Sequence, residues 1–276
     1  MPIKDNRLAI LSYSAYSVWK QCPRRYYREK VLREPREEDK TLTIPGTIVH
    51  LAAENFLKTG NPQFFDPQVI AAAVLKHSTD KGVDLEKHYD SIEKATEFVQ
   101  KCADSMYWFL DSNNFFQNKN FLSEIWFGTW DEPLMLSRNL ATQGAPDLIQ
   151  KNQNGTCILY DYKATWTAKN LDVDQLILYS IAAKIKLGLD ISMASFFTLP
   201  TRQHHYYSFT KQQKVDLLER LQVAADKILA GDFPTTPNAK CERCPYYNSC
   251  EDATKGKIKV IKPDPTAFAG LPNVSL

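Results

Sequence analysis

The chain has 276 residues, of which 43% are apolar and 12% aromatic, and a net charge of +2. That length favours one elaborated domain and suffices to bury a core. No stretch approaches the ~20 apolar residues of a membrane span, and the opening residues from Met1 to Leu11 lack the apolar run of a signal peptide, so a membrane role is excluded and a cytoplasmic location expected.

In chain order, Ser12 or Ser14 caps a first helix carrying Tyr16 and Trp19, and Pro23 opens a second helical turn after Cys22. A basic and aromatic tract follows: Arg24, Arg25, Tyr26, Tyr27, Arg28 and Lys30. Residues 35–41 are polar and read as a loop. Gly46 to Lys58 has Ile48, Val49, Ala52, Ala53 and Phe56 at helical spacing, and the run from Gly60 to Pro67 breaks it. Residues 68–117 read as mainly helical. The texture then changes. Leu122 to Trp130 is aromatic and β-branched, and short strands are expected over 134–136, 147–150 and 156–163, with Gln153-Asn154-Gly155 as a hairpin turn. Val173 to Leu187 reads as a strong amphipathic helix, 192–199 and 204–209 as strands, and Lys211 to Leu229 as a long final helix. Residues 232–250 are rich in proline and cysteine. This order predicts an α/β core (about 121–230) preceded by a helical insertion (about 1–120), with a cysteine loop over 232–250 and a tail over 251–276.

The sharpest chemical signal is Asp161-Tyr162-Lys163. Residues two apart on a strand face the same way, so Asp161 and Lys163 share a face and Tyr162 takes the other. A hairpin can bring Asp147 beside Asp161. Carboxylate oxygens suit Mg²⁺ or Mn²⁺. Such an ion can lower the pKa of a bound water and stabilise charge on a phosphate, and an ammonium can position that water. By itself a D-x-K tripeptide, common by chance, is far more often an ion pair on a solvated strand. Three further features shift the balance. His50 lies on an upstream helix, and imidazole hints at manganese; Glu54 follows one turn later. Glu124 sits among Leu122, Ile125 and Trp126, where it needs a partner or faces solvent from an edge strand. Gln175 and Tyr179 share a helix face after Lys163 and could orient the lysine or a phosphate.

The ordered set Gly46-x3-His50, Glu124, Gly144-x2-Asp147, Asp161-x-Lys163 and Gln175-x3-Tyr179 resembles the RecB-like branch of the PD-(D/E)XK nucleases. The resemblance spans roughly residues 12–250. It implies a restriction-endonuclease-like central mixed sheet flanked by helices. It also implies that His50, Asp147, Asp161 and the backbone carbonyl of Tyr162 bind the metal. Lys163 would assist the hydrolytic water, with Gln175 and Tyr179 in support.

Of the six cysteines, Cys241-x2-Cys244-x5-Cys250 form a tight triplet, and Cys22 is the candidate for a fourth ligand. Disulfides are rare in the cytoplasm, so a metal site is the better explanation. A Cys₄ site can hold zinc, but zinc ribbons usually use two close pairs, whereas three plus one distant cysteine suits a [4Fe–4S] cluster. The arrangement resembles the AddB nuclease domain and the CRISPR-associated iron–sulfur exonucleases. A cluster there would staple residue 22 to residues 241–250. Cys102 and Cys157 read as inert core residues.

The tract Arg24, Arg25, Tyr26, Tyr27, Arg28 suits a single nucleic-acid strand by phosphate contact and stacking, or else is a solvated helix face with buried tyrosines. Lys255, Lys257, Lys259 and Lys262 in the tail could also touch phosphates. No G-x4-G-K-[ST] motif occurs, so any unwinding of DNA falls to a partner, a helicase or a recombination or adaptation complex. The expected activity is a metal-dependent deoxyribonuclease, and the resemblance makes it an exonuclease acting on DNA with single-stranded ends. The second reading is a catalytically weak, cluster-stapled DNA-binding adaptor in a recombination or CRISPR-adaptation complex.

Overall fold

The computed structural model describes residues 8–35, 41–123, 125–238, 240–250 and 252. Glu124 and the four tail lysines lie outside the described residues.

Strand β1 (Ala9–Ile10) leads into α1 (Tyr13–Gln21), whose N-terminus is capped by Ser12, its Oγ accepting the Ala15 N–H at 3.2 Å. Pro23 opens α2 (Pro23–Tyr26), which widens into a π-helical turn over Tyr27–Val31. The helical part then comprises α3 (Ile44–Thr59), α4 (Pro67–Lys81), α5 (Glu86–Tyr89), α6 (Ile92–Ser112) and α7 (Phe115–Asn118). Its boundaries follow local chemistry. Asp66 and Ser91 cap α4 and α6 through their side-chain oxygens. Gly60 ends α3 at φ +73°, with its Cα so close to the Phe116 ring that a Cβ would lie 2.5 Å from it.

The main sheet has five strands in the order β2 (Phe121–Ser123), β5 (Leu148–Lys151), β6 (Cys157–Lys163), β7 (Ile191–Thr198) and β8 (Gln203–Tyr207). Only β6 and β7 run parallel, and α8 (Asp174–Leu187) makes the crossover between them. A smaller sheet pairs β1 with β4 (Leu140–Thr142) and β4 with β3 (Leu134–Met135). Helix α9 (Lys211–Leu229) follows β8 and starts on a full capping box at Thr210 and Gln213.

Alternation along the strands divides the core. Leu148, Tyr160, Tyr162 and Phe197 pack with α3, α4 and α6 on one side. Ile149, Leu159, Ala194 and Phe196 pack with α8 on the other. A third cluster joins α1, α8, α9, β1 and β4. The chain is thus an α/β fold with mixed sheets flanked by helices.

Two expectations need correction. The aromatic run over 122–130 is a strand only to Ser123; past Glu124 the chain leaves the main sheet and touches the smaller one through a Gly128–Gly144 bridge. A Cβ on Gly128 would meet the Leu134 amide nitrogen at 2.5 Å and the Thr142 carbonyl at 2.8 Å, so the backbones approach where only glycine fits. Helix α8 is not strongly amphipathic. It buries Leu176, Ile177, Leu178, Ile181, Ala182 and Ala183, because it is sandwiched between the sheet and the α1–α9 cluster.

Candidate active site

The site forms at the end of β6, where α3 approaches from one side of the sheet and α8 from the other. Asp147 directly precedes β5, and the pairing of Leu148 with Tyr160 brings Asp147 level with Asp161. The Tyr162 N–H donates to Asp147 Oδ2 at 2.5 Å, and the His50 Nδ1 of α3 lies 3.3 Å from Asp147 Oδ1. The His50 ring stands edge-on to Tyr162, with centroids 5.7 Å apart. One carboxylate therefore joins β5, β6 and α3.

Asp161 is buried and ion-paired with Lys163. Gln175 on α8 locks both: its Nε2 donates to Asp161 Oδ1 at 2.8 Å, and its Oε1 accepts from Lys163 Nζ at 3.2 Å. Lys163 Nζ also lies 5.5 Å from the centre of the Phe196 ring. Burial pushes the Asp161 carboxyl up to about 6; the Lys163 ammonium opposes that rise and the negative charge of Asp147 adds to it. A second carboxylate in the same low-dielectric site makes a nearby positive charge favourable, and Lys163 supplies the chain's own.

Gln175 and Tyr179 share a helix face but do different work. Tyr179 packs against Gly144 (a Cβ on that glycine, at φ +139°, would lie 3.4 Å from the ring) and against Phe127, with centroids 6.2 Å apart. It therefore supports the segment that leads into Asp147. Glu54, one turn beyond His50, turns away to pair with Lys58 at 2.5 Å.

Among the described residues, no three His, Cys, Asp or Glu side chains converge tightly enough to hold a metal ion as they stand. That statement covers the cysteines too. Cys22, Cys241, Cys244 and Cys250 nevertheless line one cavity of about 470 Å³ between the α1–α2 junction and the C-terminal loop. Two backbone amides aim at sulfur: Thr236 N–H at Cys22 Sγ (3.4 Å) and Asn238 N–H at Cys241 Sγ (3.3 Å). Burial pushes the Cys244 thiol up, and Cys22 and Cys241 add to the rise while Arg25 opposes it. Cys102 and Cys157 are buried in the core.

The residues of the basic tract take different positions. Tyr26 is buried against Trp19, with ring centroids 5.5 Å apart, and is not available to stack on a base. Arg24, Arg25, Tyr27 and Arg28 line the cysteine cavity. Arg25 bonds Gln21 and Glu29, while Arg28 pairs with Glu34 and lies 4.4 Å over the Tyr246 ring. Arg25 and Arg28 are thus each paired with a carboxylate, while Arg24 lies over the Tyr27 ring.

Sequence reading missed a second polar network. Lys20 of α1 pairs with Asp172 and Asp174, and Arg220 of α9 reaches Asp174 at 2.7 Å. It ties the start of α8, and hence Gln175, to α1 and α9. The spacing of these residues carries no signal of it. The Gly128–Gly144 bridge was findable, since a lone glycine within an aromatic run marks close backbone approach.

The chain matches no curated protein at a significant level. Among solved structures it is similar to one titled "Crystal structure of SSO0001", at 14% identity, covering 76% of this chain and 96% of that chain with a TM-score of 0.34. That likeness is too slight to carry an inference. The family described as the PD-(D/E)XK nuclease superfamily matches residues 10–251, from β1 to just past the last cysteine. A match of that extent takes in every element of the site, and the chain belongs to the PD-(D/E)XK nuclease superfamily.

Proposed function

We propose that this chain is a divalent-metal-dependent deoxyribonuclease that degrades DNA from strand ends and carries a [4Fe–4S] cluster among its four clustered cysteines. The observation that carries the nuclease reading is the closed network of Asp161, Lys163 and Gln175, with Asp147 held level with it by the Tyr162 N–H and by His50. The donor set fits a hard divalent ion. Asp161 Oδ2 is buried and accepts no well-formed hydrogen bond, and its company is the Lys163 ammonium. His50, Asp147, Asp161 and the Tyr162 carbonyl would hold Mn²⁺ or Mg²⁺, the imidazole favouring manganese. When bound, such an ion lowers the pKa of a water and neutralises charge on the phosphate.

The chain's own residues do the positioning. A lysine ammonium carries three N–H donors. At Lys163 one faces Asp161 and one bonds Gln175, leaving a third for the attacking water or a phosphate oxygen. Holding that donor fixed before DNA arrives is electrostatic preorganisation. Gly144, Phe127 and Tyr179 keep the Asp147 segment in register.

The cysteine cavity fits a thiolate-bound cluster by its donor set and by the amides directed at sulfur. Zinc is the alternative occupant. Action from ends is supported by the family resemblance of the histidine, the Gln-x3-Tyr pair and the cysteines. The test compares a linear single strand with a covalently closed circle of the same sequence. Degradation of the linear DNA with the circle spared is expected; equal loss of both contradicts action from ends.

A further inference from the structure

Of five tryptophans, Trp19 is buried and the other four are at least 45% exposed. Large apolar rings left in water usually mark a contact surface. Two of them belong to segments that adjoin the site, one following Lys163 and one tied to the segment that leads into Asp147.

Trp166 is three residues beyond Lys163, so its backbone lies within about 11 Å of the lysine. It tilts on Phe98 of α6, with centroids 5.7 Å apart, and the Lys101 ammonium sits 4.5 Å from its ring centre. That support fixes the indole, yet 56% of it remains exposed. Trp126 approaches from the other side. The Gly128–Gly144 bridge and the bond from Phe127 N–H to Gly144 O (2.8 Å) tie its segment to the one running into Pro146 and Asp147. Phe127 is buried, whereas its neighbour Trp126 is 59% exposed. One indole thus sits on a segment tied to the lead-in to Asp147, and the other on the segment that follows Lys163.

We propose that Trp126 and Trp166 stack on the bases either side of the scissile phosphate and make the site selective for a single nucleic-acid strand. This rests on the nuclease reading and specifies its substrate. An indole face is sequence-tolerant, because every base has a π-face, and stacking on it needs a base that is not already stacked in a duplex. The cation at Lys101 places positive charge beside one platform, where a phosphate backbone passes. Trp130, 57% exposed, lies on the same loop beyond the glycine bridge and has no place in the clamp.

The test measures binding of labelled oligothymidylate and of a matched duplex to full-length protein in chelator, where no cleavage intervenes. Trp126→Ala and Trp166→Ala are each expected to weaken single-strand binding about 5- to 150-fold. Phenylalanine at either position restores most of it, Trp130→Ala binds as wild type, and duplex affinity stays unchanged. Far-ultraviolet dichroism and melting verify that each variant is folded. Folded alanine variants that bind the single strand normally, or lose strand and duplex equally, overturn the clamp, as does wild-type protein that binds no oligothymidylate. Cleavage in Mn²⁺ is scored separately: an inactive wild type that shows the binding pattern keeps the clamp and loses the nuclease, and an active one without the pattern does the reverse.

Discussion

Gln175 commits both ends of its side-chain amide, one to the buried Asp161 carboxylate and one to Lys163. Removing it leaves a buried acceptor and a mobile ammonium, so Gln175→Ala is predicted to lower kcat about 10–100-fold, with KM for DNA little changed. A loss seen in melting temperature or in KM alone would make Gln175 a packing residue. At this scale the sequence was informative where chemistry and strand period coincide: Asp161 and Lys163 two apart, Tyr162 turned to the other face. It misled where residue type was read without its face. Tyr26 sits among arginines and resembles a stacking residue, yet it is seven positions from Trp19 and shares its buried side. The Gln175–Tyr179 spacing identified a face but not the division of labour on it.

Among elements, α3 was legible because the run from Gly60 to Pro67 breaks it, whereas 68–117 read only as mainly helical and its division into α4 to α7 follows from caps at Asp66 and Ser91 that the reading did not use. Strands β1, β3 and β4 were less so, or not at all, since two or three residues hold no period to detect. Helix α8 was found, but its burial on nearly all sides depends on partners far away in sequence. The link between the α1–α2 junction and the cysteine loop was legible from cysteine count and spacing. The fold brings those elements together through the bonds from Arg24 N–H to Pro234 O (3.1 Å) and from Asn238 Nδ2 to Gln21 O (2.9 Å), and through Tyr27 against Phe233 at 4.6 Å. A cluster would bind them further. Cys22→Ser, purified without oxygen, is therefore predicted to lose most of its iron and sulfide. Its Tm should fall by roughly 5–10 °C, as a loss of about 2–3 kcal/mol implies for a chain of this size. Unchanged metal content, or zinc in place of iron in the wild type, would contradict the cluster.

Across the whole molecule, the helical part forms one wall of the candidate site. Helix α3 delivers His50, α6 packs beneath Tyr162 through Phe109 (centroids 5.9 Å apart) and also carries the Phe98 and Lys101 that support Trp166. From sequence, that part could be called helical but not placed, because contacts between distant segments leave no local pattern. The net charge of +2 supplies little overall attraction for a polyanion, which leaves DNA binding to where the charges are placed. The most direct measurement follows end-labelled single-stranded DNA with anaerobically purified protein in Mn²⁺, in Mg²⁺ and in chelator, beside Lys163→Ala and Asp161→Asn. Metal-dependent shortening by the wild type, falling at least about 100-fold in both variants while they keep their fold, is the predicted result. Cleavage at the wild-type rate in both variants, or DNA binding by the wild type with no cleavage in either metal, would contradict it.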